Sequence, residues 1–261
     1  MSESRTLRPV AAAAAAVLLM ACCAATDAGA GRIDGALPED VLIIGNSLVR
    51  GLKRPLKEFL KADGSKVKIQ TRAPAGWLLS KHAERRTTAK VIGRRDWDYV
   101  FLAEQSDGIW NHRYPAAREV VDKIRGLTSA QAVFLMTWRD RGDPAPSYDD
   151  LRGEPGGKIG YVPISDELDV PLAPAGWAFR RSIEEDQLPF DLWQDGHHLH
   201  ARGKYLVACV MYAVMTGNSP LGLSVSRKIS PSEARYLQLL ATETVFDPQE
   251  DWNLDSNRAL R

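Results

Sequence analysis

Cysteine is scarce in this chain. Of three in 261 residues, Cys22 and Cys23 sit side by side near the start and only Cys209 lies in the body. A mature chain beginning after Cys23 cannot form an intrachain disulfide, so its fold must rest on a core. Cys209 falls in an apolar helical run, the setting of a small core residue rather than of a nucleophile. Neither sign of charge is in excess: 34 Lys and Arg against 33 Asp and Glu give a net +1. That balance offers no reason to expect nucleic acid or an anionic membrane as the main partner. Long apolar runs are also missing. The run from Val10 to Met20 falls short of the about 20 residues that a membrane-spanning helix needs.

Several motifs are absent, and each absence excludes a chemistry. No Gly-x-Gly-x-x-Gly follows the first strand-like run, so the dinucleotide fingerprint is missing. Gly156-Gly157-Lys158 hints at a phosphate loop, but Arg152 stands where its first glycine belongs and Ile159 where its hydroxyl residue belongs. Ser47 is not framed by the Gly-x-Ser-x-Gly elbow of α/β-hydrolases. Arg141-Gly142-Asp143 spells an adhesion tripeptide, in a stretch so rich in these residues that chance accounts for it. No cofactor is expected.

What is present is an ordinary globular composition, 44% apolar and 26% charged, in a chain long enough for one sizeable domain. Residues 1–30 belong outside it. Arg5 and Arg8 precede the apolar run and small residues follow, the layout of a secretory signal peptide. Ala28-Gly29-Ala30 would suit cleavage before Gly31. Leu19-Met20-Ala21-Cys22 instead resembles a bacterial lipobox, which would make Cys22 the lipidated first residue and the only tie to a membrane. Either route exports the protein, to the periplasm, the outer membrane or the medium.

The body, 31–246, alternates strand and helix. Apolar runs predict strands at Val41–Gly45, Trp97–Ala103, Ala132–Thr137 and Val170–Ala173, and Lys66–Thr71 alternates as an edge strand would. Helical periodicity covers 49–62, 77–93, 114–127, 177–185 and 204–216. The 77–93 stretch carries Lys81, Arg85, Arg86 and Lys90, read as a solvated face. This rhythm predicts an α/β fold with a mostly parallel sheet and helices on both faces. Residues 139–160, rich in Gly, Pro and Asp, are expected to form a loop insertion bordering the ligand site as a lid. The tail from Asp247 is expected to fray.

Two stretches carry chemistry. In Val41-Leu42-Ile43-Ile44-Gly45-Asn46-Ser47 a serine follows a buried strand at the turn into a helix. There its hydroxyl is held clear of the sheet and its N–H lies near the positive helix end. Serine is also a common helix cap, and the turn alone leaves both roles open. The second stretch is Asp195-Gly196-His197-His198-Leu199-His200. Adjacent His197 and His198 cannot readily bind one ion together, and no cysteine or second histidine cluster completes a metal site, so no metal is expected. Asp195 and His198 on one turn instead suit a carboxylate that orients an imidazole general base. His197 and His200 receive no catalytic role.

Taken together these residues resemble the SGNH (GDSL-like) hydrolase superfamily, over about Val41 to Pro220. Gly45-Asn46-Ser47-Leu48 is similar to its first block, with Asn46 where many members carry Asp. Asp195-Gly196-His197-His198 resembles the Asp-x-x-His block, with Gly203 at the spacing that often follows. Ala75-Gly76-Trp77 falls at the second block. Leu102-Ala103-Glu104-Gln105-Ser106 falls at the third, with Gln105 for the usual Asn, as in a subgroup of exported bacterial members. The resemblance implies a single flavodoxin-like three-layer domain and a serine esterase. Ser47 would be the nucleophile, His198 the base and Asp195 its partner. The backbone N–H groups of Ser47 and Gly76, with the Gln105 side chain, would form the oxyanion hole. The implied substrate is a small acyl ester or an acylated polysaccharide, and Trp77, Trp110 and Trp138 are candidates for stacking on sugar. Transfer of the acyl group to a sugar hydroxyl, or glycan binding without catalysis, are the alternatives.

Overall fold

The structure, a computed structural model, describes residues 37–106, 115–185, 191–223 and 228–254. The expected leader with Cys22 therefore lies outside the described residues. Five parallel strands form one sheet: β1 (Asp40–Ile44), β2 (Lys68–Arg72), β3 (Tyr99–Leu102), β4 (Gln131–Leu135) and β5 (Leu172–Ala173), in the order β2-β1-β3-β4-β5. β1, β3 and β4 are continuous apolar runs buried on both faces, which only a sheet covered by helices on each side can provide. β2 is the edge, as its charged and apolar alternation predicts.

The helices pack in two groups. One joins α1 (Lys53–Ala62), α7 (Ala175–Glu184), α8 (Ala201–Thr216) and α9 (Pro231–Val245). The other joins α2 (Leu79–Glu84), α3 (Arg86–Ile92), α4 (Pro115–Leu127) and α6 (Tyr161–Leu168). α8 is apolar around nearly its whole circumference, Cys209 included, and is buried accordingly. The helix expected over 77–93 is broken at Arg85, whose extended backbone (φ −90°, ψ 118°) separates α2 from α3. This break lets buried His82 reach buried Thr88, Nδ1 to Oγ1 at 3.1 Å.

Two expectations are corrected. Residues 139–160 are not a free lid: they hold a short helix, α5 (Ser147–Arg152), that inserts fully buried Tyr148 and Leu151 into the core. Nor does the chain fray at Asp247. Trp252 is buried, its indole N–H donates to Thr244 O at 2.9 Å, and its carbonyl accepts from Leu172 N–H beside β5. An ion pair between Arg152 and Glu250 ties the same segment to α5. The apolar surface of one indole outweighs the polar residues around it.

The α7 helix approaches the sheet so closely that a Cβ on Gly176 would lie 2.0 Å from Thr137 O. Gly176→Ala should therefore destabilise the fold by ~1–3 kcal/mol through overpacking. Gly126, in α4 with open space around it, should instead gain ~0.4–1 kcal/mol as alanine. Urea unfolding of the two variants checks the pair. Equal midpoints would show that α7 does not touch the sheet at Gly176.

Candidate active site

In a parallel sheet every strand ends at the same edge, so the segments after β1, β2, β3 and β4 converge there. Gly45-Asn46-Ser47 leaves β1, Ala73–Trp77 leaves β2, Glu104-Gln105 leaves β3 and Met136–Arg141 leaves β4. Gly45 is clamped at this point. Its N–H donates to Arg72 O at 3.1 Å, and a Cβ on it would stand 3.1 Å from both Cβ and O of Ala103. Its carbonyl accepts from His82 Nε2 at 2.8 Å. Because a carbonyl can only accept, Nε2 carries the proton and Nδ1 accepts from Thr88. Burial lowers the His82 pKa and so keeps this ring neutral.

Ser47 opens a single 3-10 turn, Ser47–Val49. The cap is not Ser47 but buried Asn46, whose side-chain oxygen accepts from Leu48 N–H at 3.0 Å. That division of labour leaves the half-buried Ser47 hydroxyl with no hydrogen bond to any described residue, His198 included. An uncommitted hydroxyl at a strand end can act as a nucleophile, whereas a capping one is already engaged.

Asp195 and His198 do form the expected pair. Asp195 Oδ2 meets His198 Nδ1 at 3.0 Å, while Oδ1 accepts the backbone N–H groups of His198 at 2.8 Å and His197 at 3.1 Å. These bonds favour the charged carboxylate and hold its pKa down at about 2. The turn is fastened to the loop after β4. Arg141 N–H donates to Gly196 O at 2.7 Å, the Trp138 indole to His197 O at 3.2 Å, and the Arg141 guanidinium to Trp193 O at 2.8 Å. His197 Nδ1 is engaged by Asp140. Residues 138–141 thus carry the Asp195–His198 turn to the edge where Ser47 lies. The flanks of the Asp195–His198 turn also border the start of α1: Arg54, Pro55, Gln194 and His200 line one cavity of about 420 Å³. Gly203 has a steric role, since a Cβ there would stand 2.4 Å from Leu192 O. His200 is the N-cap residue of α8.

The expected oxyanion donors lie at the same edge. Gly76 occupies an exposed turn with φ +65°, a conformation that suits glycine. Gln105 is half-buried, and its side chain makes no hydrogen bond to a described residue. Between them stands a residue that motif reading passes over. Buried Glu104 accepts from Leu79 N–H at 3.1 Å and from Gln105 N–H at 2.7 Å, and its own N–H donates to Tyr161 OH at 3.3 Å. It therefore bolts the loop after Gly76 to the end of β3. A glutamate closing an otherwise apolar strand was the signal in the sequence.

The three tryptophans part ways. Trp138 is buried, stacked on Phe179 at 5.4 Å and 19°, and cannot meet a sugar; its indole supports the His197 carbonyl instead. Trp77 is half-buried, with the cations of Arg72 at 5.0 Å and Lys81 at 5.1 Å over its ring. Trp110 lies outside the described residues.

No protein-family model and no curated protein matches the chain in sequence. Solved structures do match its fold. A DUF4886 family protein from Bacteroides uniformis aligns with a TM-score of 0.67 at 17% identity, over 81% of this chain and 96% of that one. A protein from Slackia heliotrinireducens assigned to the SGNH hydrolases aligns with a TM-score of 0.51 at 23% identity, over 69% of this chain and 99% of that one. At these identities the likeness establishes the fold. It is a five-stranded parallel α/β sandwich of flavodoxin type.

Burial raises the Glu104 carboxyl from 4.5 to about 7. The folded chain then holds a proton that the unfolded chain has released, so this group's stabilisation is full below about pH 4.5 and is lost as pH rises through about 7. Glu104→Gln, which cannot ionise, should flatten the fall in stability across that window. Urea unfolding at several pH values between 4 and 8 measures it, and an unchanged slope in the variant would remove Glu104 as the cause.

Proposed function

We propose that this chain is an exported serine ester hydrolase of the SGNH type, removing acetyl or another short acyl group from a carbohydrate. The observation that carries this reading is the hydrogen-bonded Asp195–His198 pair, fastened by 138–141 to the sheet edge where Ser47 keeps an uncommitted hydroxyl. The Asp195 carboxylate fixes Nδ1 as the protonated nitrogen, which leaves His198 Nε2 free to take the Ser47 proton. Oγ attacks the ester carbonyl, and the oxyanion is met by the N–H groups of Ser47 and Gly76 and by the Gln105 amide, one methylene longer than the usual Asn. His198 then protonates the departing sugar oxygen and activates water against the acyl-serine.

The side chains of His198 and Asp195 are 40% and 50% exposed, so water can reach the pair and serve as the acceptor. The leader supports export, with the lipobox-like Leu19-Met20-Ala21-Cys22 as one route to a lipid anchor. A carbohydrate substrate rests on the half-buried Trp77 at the active edge.

Purified protein should hydrolyse p-nitrophenyl acetate. Ser47→Ala and His198→Ala should each lower kcat/KM by ~10⁴-fold or more, and Gln105→Ala by ~100-fold. Near-normal turnover in Ser47→Ala would remove the nucleophile. Undiminished turnover in Gln105→Ala would remove that residue from the oxyanion hole. Excess acceptor sugar with product analysis separates hydrolysis from transfer.

A further inference from the structure

The net charge of +1 conceals a segregated distribution. Between α1 and the edge strand β2 run two adjoining hollows of about 720 and 560 Å³ that share Lys53, Lys57 and Thr71. Seven basic residues line them against one acid, Glu58; Arg54 is paired with that acid and Arg95 with Asp40 outside the lining, which leaves five basic residues without an acidic partner among the described residues. Lys53, Lys57, Lys61 and Lys68 make no ion pair with any described residue. Three of these lysines repeat every four residues along α1, the spacing at which like charges face one another and destabilise a helix. They span about 12 Å of helix axis. Lys57 is half-buried where the two hollows meet, and Lys53, Lys61 and Lys68 are exposed around it.

The groove leads to the active edge. Arg50 and Ala73 line its inner end, joined by a hydrogen bond from the Arg50 Nε–H to Ala73 O at 3.0 Å. Arg50 follows Ser47 by three residues and Ala73 opens the loop that carries Gly76. Arg72 and Lys81, on either side of that loop, add further positive charge over Trp77. A concave basic channel that fits an extended chain, ends at the nucleophile's turn and is held together against its own repulsion calls for a polymeric anion.

We propose that this groove binds a polyanionic saccharide, one whose units carry carboxylates or phosphates, and so directs esters on acidic glycans to Ser47. The directing step rests on the esterase reading, whereas the binding does not.

The test is binding, measured by affinity electrophoresis and titration calorimetry on the full chain carrying Ser47→Ala, so that no turnover intervenes. The probes are polygalacturonate, dextran of matched length, and anionic phosphatidylglycerol vesicles. Polygalacturonate should bind and dextran should not, and raising salt from 20 to 300 mM should weaken binding at least about tenfold. A triple variant, Lys53→Gln, Lys57→Gln and Lys61→Gln, should lose at least about tenfold in affinity. Its thermal midpoint should match or exceed that of the parent, because the repulsion along α1 is relieved. Equal binding by parent and variant, or a lowered midpoint in the variant, would overturn the proposal. Binding to vesicles but not to the soluble polymer would replace it with a membrane surface. In the active protein, kcat/KM on acetylated polygalacturonate should exceed that on acetylated dextran. Polymer binding without any ester turnover would instead count against the serine chemistry while leaving the groove in place.

Discussion

Everything at the edge where the strands end depends on how the chain leaves β1. Gly45 is held from three sides: by Arg72 O on β2, by the neutral imidazole of His82, and by Ala103 against the space a side chain would need. A Cβ there would press on Ala103 and Val49 at 3.1 and 3.2 Å, so any larger residue requires these neighbours to give way. Because both polar groups of Gly45 are spoken for, the next residue has one direction to take. Asn46 then supplies the cap, and Ser47 comes out with its hydroxyl uncommitted. The placement is achieved by backbone hydrogen bonds and steric closeness, which a rigid parallel sheet provides at little cost in flexibility.

The other half of the constellation is reached indirectly. The Asp195–His198 turn belongs to no strand, and its position is inherited from the loop after β4 through Arg141, Trp138 and Asp140. Glu104 plays the matching part for the side that carries Gly76 and Gln105, joining Leu79 to Gln105 through one carboxyl group. Glu104 and the Trp138 indole are shielded by packing, where a satisfied hydrogen bond orders its partners most strongly and a missing one costs most, whereas the Arg141 and Asp140 ties lie near the surface. The edge is therefore a set of loops held by short polar ties rather than by an extended core.

Much of this was legible in the sequence, for identifiable reasons. Buried parallel strands read as unbroken apolar runs, so β1, β3 and β4 announce themselves, and the strand–helix rhythm yields the α/β class. The Asp195–His198 hydrogen bonds follow from their spacing on one turn. What escaped depended on distant partners. Nothing local says that Trp138 packs on Phe179 or that Trp252 pins the tail. Residues 139–160 look like a free loop because Gly, Pro and Asp dominate, while Tyr148 and Leu151 do the anchoring. α9 did carry a local signal, the capping box of Ser230 and Glu233 with Pro231 at its start, which apolar periodicity alone passes over. The basic groove could not be seen in a net charge, since only the pairing of α1 with β2 brings Lys57 and Lys68 to the same channel.

Covalent labelling tests most directly whether Ser47 is an activated nucleophile. A fluorophosphonate reacts with a serine hydroxyl only where a neighbouring base and oxyanion donors assist it. Peptide mass spectrometry after labelling should find one adduct, on Ser47, and that adduct should be lost when His198 is replaced by alanine. An adduct on a different serine, or labelling of Ser47 that is indifferent to His198, would contradict the account.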